Sequence, residues 1–167
     1  MLVMQSNLSN SYDMVRRFGE ALSMRRDIYS GRLKLNGEEH GKTVLAAYNY
    51  AASLVSLGRF EQAKSLLRKM LPVARRVLGE NHETTIRMRW IYATALYYDK
   101  GATLEDLREA VTTLEETART ARRVLGGAHP ITVKIEHALP EARAALAARE
   151  GGDVSAVRAG LDAMKAT

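Results

Sequence analysis

Histidine is the residue type here best suited to metal or acid–base chemistry, and three of the four histidines recur regularly. His40, His82 and His129 lie 42 and 47 residues apart. Each precedes a threonine by three positions (Thr43, Thr85, Thr132), and an aliphatic residue follows each threonine (Val44, Ile86, Val133). A zinc site needs ligands that converge at short spacing. These histidines are separated by whole repeats, and His137 has no partner at ligand spacing. They read as structural turn residues, with no metal and no cofactor. The chain has no cysteine, which removes disulfides, thiolate metal sites and cysteine nucleophiles together. There is no G-x-S-x-G, no glycine-rich phosphate loop and no carboxylate pair in a catalytic setting. Thr84-Thr85 and Thr112-Thr113 read as turn and helix-surface residues. The expectation is a protein that is not an enzyme.

The elements that carry these residues repeat. Three segments align without gaps on the histidines: Phe18 to His40, Phe60 to His82 and Leu107 to His129. Each has an aromatic or leucine 22 residues before its histidine, an alanine 19 before (Ala21, Ala63, Ala110) and a glycine three before (Gly37, Gly79, Gly126). The string RRVLG occurs twice, at Arg75 to Gly79 and at Arg122 to Gly126. Apolar residues from Leu54 to Leu78 follow steps of three and four, the helical period. Gly58 breaks that run, and Gly79 ends the second helix as a C-cap. Thr103 with Asp106 predicts a capping box. No alternating strand pattern appears. Each repeat is therefore a helix pair, which cannot bury its own apolar face but can do so by stacking on its neighbours. A period of ~40–47 residues also leaves a HEAT or armadillo array open as the alternative.

The bulk numbers are those of an ordinary soluble chain. Among 167 residues, 46% are hydrophobic, 26% are charged and only three are proline, so no linker divides the chain, and residues 1–167 read as one unit. Neither a signal peptide nor an apolar run of ~18 residues is present; no membrane association and a cytoplasmic location are expected. The net charge of +6 sits in basic pairs (Arg68-Lys69, Arg75-Arg76, Arg122-Arg123) interspersed with Glu61, Glu80, Glu83, Glu115 and Glu116. No single-sign stripe results, so nucleic-acid binding is disfavoured.

Asn7-Leu8-Ser9 with Tyr12, followed by Arg17-Phe18 and Glu20-Ala21-Leu22, resembles the first helix and turn of a tetratricopeptide repeat. So does Asn49-Tyr50-Ala51 with Leu54, followed by Gly58-Arg59-Phe60-Glu61-Gln62-Ala63. The longer period, the L-G-x-x-H turn and His129-Pro130 are similar to the kinesin light chain subclass. The resemblance spans about Asn7 to Arg149. It implies an all-α superhelix of about three and a half helix-turn-helix repeats, seven to eight helices, with boundaries near 1–40, 41–82, 83–129 and 130–167. The asparagine position becomes Ile91 in the third repeat and Ala138 in the fourth. Pro140, at a small-residue position, predicts a kink or restart, and the alanine-rich tail with DVSAVRAGLDAMK predicts a degenerate terminal capping pair.

The resemblance also implies that first helices line a concave groove that takes an extended peptide or partner protein. Aligned from the histidines, the groove residues are Tyr48, Asn49, Ala52 and Val55, then Trp90, Thr94, Tyr97 and Tyr98, with Asn7 and Asn49 as the asparagines that hold a peptide backbone. Trp90 and Tyr97 are seven apart and share a face; the alternative is that the aromatic rings pack between helices. Arg87 and Arg89 would favour an acidic or carboxylate group on the partner. Tyr50 and Tyr92 fall on the packing register. A structural or oligomerisation segment is the alternative function, and a basic solenoid for nucleic acid the second. Kinesin light chains carry a heptad segment before their repeats; this sequence has no heptad run, so a motor-adaptor role is not implied.

Overall fold

The computed structural model describes the backbone of residues 18–165 and the side chains of residues 19–152. Six helices occur among the described residues: α1 (Phe18–Asn36), α2 (Gly41–Ser56), α3 (Phe60–Leu78), α4 (Glu83–Tyr98), α5 (Leu104–Leu125) and α6 (Pro130–Lys165). The residues expected to form the first helix lie largely outside this range.

The same short turn ends α1, α3 and α5. Gly37, Gly79 and Gly126 have φ of +76°, +95° and +89°, a region that side-chain-bearing residues rarely occupy. Their amides donate to the carbonyls of Leu33, Arg75 and Arg122 at 3.0, 3.0 and 3.2 Å, closing each helix. Three residues later the histidine opens the next helix. The Nδ1 atoms of His40, His82 and His129 accept from the amides of Lys42, Thr84 and Ile131 at 3.1, 3.1 and 3.2 Å. That bond satisfies one of the amides a helix start leaves unpaired. The following threonine is fully buried in all three repeats. In the first, the Thr43 hydroxyl donates to the Gly37 carbonyl at 2.7 Å, tying the new helix back to the turn. The Thr85 and Thr132 hydroxyls are buried without a hydrogen bond. The capping box at the start of α5 forms as expected: the Thr103 hydroxyl accepts from the Asp106 amide at 3.1 Å, and the Asp106 carboxylate accepts from the Thr103 amide at 3.0 Å.

Consecutive helices pack against each other, and in addition α2 touches α4 and α4 touches α6. Second helices keep their backbones apart and meet only through side chains: the Tyr29 hydroxyl of α1 reaches the Met70 sulfur of α3 at 3.6 Å, and Arg68 of α3 reaches Asp106 of α5 at 3.4 Å. The array therefore curves with α2, α4 and α6 on the inside. α4 is the most enclosed element. Ile86, Met88, Ile91, Tyr92, Ala93, Ala95 and Leu96 are all buried, pointing around most of its circumference. The main core runs from Val44 and Ala47 through Leu67, Met70 and Ala74 to Leu114, Ala121 and Ile135.

A polar tie links successive turns. Arg76 donates to Glu39 at 2.5 Å, and Arg123 donates to Asn81 at 3.1 Å. Both run from six residues before one histidine to one residue before the preceding histidine. The convex basic pairs thus join neighbouring repeats: Lys69 meets Glu38 at 3.5 Å and Arg122 meets Glu136 at 2.7 Å.

The expected terminal pair is instead one helix. α6 continues through Pro140 and through Gly151 and Gly152 to Lys165. Pro140 is exposed, so its ring projects from the solvent side and the helix loses one backbone bond there. The alanine-rich stretch after it has high helix propensity. Six helices rather than seven to eight follow from this and from the range described.

The threonines make a test. Thr43→Val should cost about 1 kcal/mol in urea unfolding, because the turn carbonyl loses its donor. Thr85→Val should be neutral or stabilising, since its hydroxyl is buried unpaired. Equal losses in both variants would contradict the assigned partners.

Candidate partner-binding face

α2 and α4 bring most of the nominated residues to the inner side of the curve. Steps of three and four bury Val44, Ala47, Ala51 and Leu54 of α2 and turn Tyr48, Ala52 and Val55 to its edge, where they are half-buried against the core. Asn49 is exposed. Asn7 lies outside the described residues.

On α4, Arg87 faces α2. Burial pulls its guanidinium down, but hydrogen bonds to Tyr48 and Glu83 more than offset this and hold it above the ordinary arginine range. The Glu83 carboxylate accepts from Arg87 Nε at 2.8 Å and is held below its usual range chiefly by that bond. The cation is thus already paired along its own helix. Trp90 is half-buried against the core, and its indole N–H is buried without an acceptor. The Thr94 hydroxyl donates to the Trp90 carbonyl at 3.0 Å, so it is spent on its own helix.

Tyr97 and Tyr98 end α4 as a tilted pair with centroids 4.6 Å apart. Both phenols donate to Glu141 on α6, at 3.3 and 2.9 Å. Burial, then Tyr98 and Glu141, push the Tyr97 phenol far above the ordinary tyrosine value, so it stays a donor at any physiological pH. Tyr98 is 51% exposed and stacks on Phe60 at 6.4 Å. The pair lines a hollow of about 500 Å³ whose apolar wall includes Ala102, Leu107, Ala145 and Ala148.

A buried cation fixes the end of this helix. Lys64 of α3 is only 3% exposed; it pairs with Glu61 and donates to Asp99 Oδ2 at 2.9 Å. Burial lowers its ammonium, but the two carboxylates outweigh this and hold it above the usual lysine range. Asp99 is held below its usual range by Lys64 first and by the Gly101 amide second. The aspartate directly after Tyr98 is thereby clamped to the neighbouring helix.

One expectation on α4 needs correcting. Arg89 does not join Arg87: it is 6% exposed and points at α5, where it donates to Glu116 at 2.7 Å. Two helical residues at i and i+2 lie on different faces. Tyr92 is buried as its register predicts, with its hydroxyl donating to Glu109 at 2.8 Å and accepting from Arg68 at 2.9 Å. Tyr50 is half-buried and stacks on Tyr29 at 6.2 Å. Sequence reasoning missed Glu141 and Lys64. Glu141 sits 12 residues past the anchor histidine in a repeat whose pattern has decayed, and Lys64 follows the small-residue position with no sign of burial in its type.

Residues 43–84 match the family model of the tetratricopeptide repeat. No curated protein sequence matches the chain. Among solved structures, a protein of Podosopora anserina described as a kinesin light chain with nearly identical TPR-like repeats superposes with a TM-score of 0.76 at 19% identity, over 99% of this chain and 76% of that one. BtubC (BKLC) from P. vanneervenii superposes with a TM-score of 0.69 at 17% identity, over 96% of this chain and 64% of that one. The chain thus carries a tetratricopeptide repeat, and its fold is that of kinesin light chain-like repeat proteins.

Asp99→Asn tests the clamp. It should cost about 2 kcal/mol at pH 7, less than the ~3–5 kcal/mol of a fully broken buried pair because Glu61 remains. Asp99 is depressed in the folded state, so its contribution is present above about pH 4 and fades as pH falls through the folded value. The stability gap between variant and wild type, from urea unfolding, should therefore narrow in acid. A gap independent of pH would refute the assignment.

Proposed function

We propose that this chain is a non-catalytic interaction module that holds an extended peptide or partner segment along the inner face of α2, α4 and α6. The observation that carries this is the Tyr97–Tyr98 pair: a half-exposed aromatic end, clamped by Asp99 and Glu141, beside a partly apolar hollow. Such an end suits an apolar anchor side chain, because rigid aromatics supply contact area at low entropic cost. Asn49, exposed on α2, offers an amide that can both donate to and accept from a peptide backbone. Tyr48, Ala52, Val55, Trp90 and Thr94 form the floor between these ends. Arg87, being engaged by Glu83, takes an acidic group on the partner only by exchanging it for that carboxylate. Proteins with tetratricopeptide repeats generally mediate protein–protein contacts, which supports the reading. The pairing of Arg68, Arg75, Arg76 and Arg122 with carboxylates leaves no continuous basic stripe and supports a protein partner over nucleic acid. A cytoplasmic setting goes with this function; no helix of the described residues is long and apolar enough to cross a membrane.

The test is selection of peptides from a displayed library on the purified chain, followed by calorimetry. Asn49→Ala and Tyr98→Ala change exposed residues and should each weaken a selected peptide about tenfold, ~1.4 kcal/mol. Undiminished affinity in both variants would remove this face as the binding site.

A further inference from the structure

The outer side of the array holds a second feature that the inner face does not use. Beyond the contact of Arg68 with Asp106 and Glu109, α3 and α5 leave a wedge between their C-terminal halves, floored by α4. This hollow of about 560 Å³ is lined by Arg75, Arg89, Arg119 and Arg123 against only two carboxylates, Glu80 and Glu116. Arg119 has no carboxylate partner among the described residues. Arg123 is bonded to the neutral Asn81. Both stand one helical turn apart on α5, exposed at the mouth. Arg89 forms the inner wall, buried to 6% exposure, and its Nε has no hydrogen-bond acceptor.

The repeat itself shows that this is no general property of the fold. Arg89 stands seven residues after His82; the residues seven after His40 and His129 are Ala47 and Glu136. Ala47 is a fully buried core alanine. Glu136 accepts from Arg122 at 2.9 and 2.7 Å, and Arg122 occupies the position of Arg75, seven before the anchor. Where the next repeat sets arginine against glutamate, this wedge sets arginine against arginine. Burial and then the Arg75 charge lower the Arg89 guanidinium, with Glu116 and Glu80 opposing them. Those two glutamates are half-exposed, at 51% and 55% of their side chains, and can swing to solvent.

We infer that the wedge between α3 and α5 is an oxyanion site that takes the phosphate monoester of a phosphorylated peptide side chain. Arg119 and Arg123 make the first contacts at the mouth, and Arg89 offers its unpaired Nε–H within. Guanidinium groups match the oxygen geometry of a phosphate in paired hydrogen bonds, and the dianion offsets the excess positive charge of the wedge. The floor is recessed between two helices, which admits a side chain and excludes a flat bilayer surface. Glu80 is the competitor at the rim, since it reaches Arg75 at 3.0 Å and Arg89 at 3.8 Å.

The experiment is calorimetry and amide NMR with a short phosphoserine peptide and its unphosphorylated twin on the intact chain, with phosphatidate vesicles as a separate arm. The phosphopeptide should bind at least about tenfold more tightly than its twin and shift the amides of Asn81, Thr120 and Arg123. The double variant Arg119→Ala/Arg123→Ala changes exposed residues and should weaken it about tenfold or more, with a thermal midpoint lowered only by the loss of the exposed Arg123–Asn81 tie, which Arg123→Ala alone measures. Glu80→Gln should tighten it about threefold by removing the competing carboxylate. Equal affinity for the two peptides, phosphopeptide binding untouched by the double variant, or binding to vesicles alone would overturn the proposal.

Discussion

A hairpin of two amphipathic helices has apolar surface on both flanks and nothing of its own to cover it, and this constraint shapes the rest of the molecule. Ala47 and Ala51 of α2, Leu67 and Met70 of α3 and Ile86 of α4 reach zero or near-zero exposure only because the next pair is present. Burial of this kind contributes roughly 25 cal/mol per Å² of apolar surface, far more than any single tie between turns. The turns decide instead where one pair ends and the next begins. A left-handed glycine, a histidine cap and a buried threonine do that within seven residues, three times.

Legibility in the sequence followed the range of the interaction. The glycine turns, the histidine anchors and the Thr103–Asp106 capping box depend on neighbours within a few residues, so spacing alone exposed them. The inner face was half legible: alignment on the histidines placed Tyr48, Trp90 and Tyr97 together, but not that Arg87 is already held by Glu83 or that Tyr97 and Tyr98 share Glu141. Those partners come from charges whose side-chain direction no periodicity reveals. Arg89 was legible as a charge near Arg87 and misread as its companion, because a two-residue step rotates a helical side chain to another face. The tail was read through its proline; one lost backbone bond on an exposed side did not outweigh the helix preference of the alanines.

The outer wedge and the inner face arise from one geometric fact. Helix α4 comes close to both α2 and α6 along the backbone, whereas α1, α3 and α5 meet only through side chains such as Tyr29 with Met70 and Arg68 with Asp106. Contact on one side produces a continuous surface, and separation on the other produces recesses. What fills each recess is a matter of a few side chains: alanine closes it with core, an arginine–glutamate pair bridges it, and two arginines leave it charged.

Helix α4 packs on α2, α3, α5 and α6, and among the described residues no helix before it brings its backbone close to any helix after it; only the half-exposed Arg68 reaches across, to Asp106 and Glu109. Apart from the exposed polar ties of Arg68 to Asp106 and Glu109 and of Arg123 to Asn81, every packing route from one half of the array to the other crosses this single element. Loosening α4 would thus split the cooperative unit in two rather than fray an end, leaving α1 to α3 and α5 to α6 as separate thermodynamic bodies. The same helix carries Trp90 and Tyr97 on one flank and Arg89 on another. Whatever stiffens either flank is felt by the joint that holds the halves together.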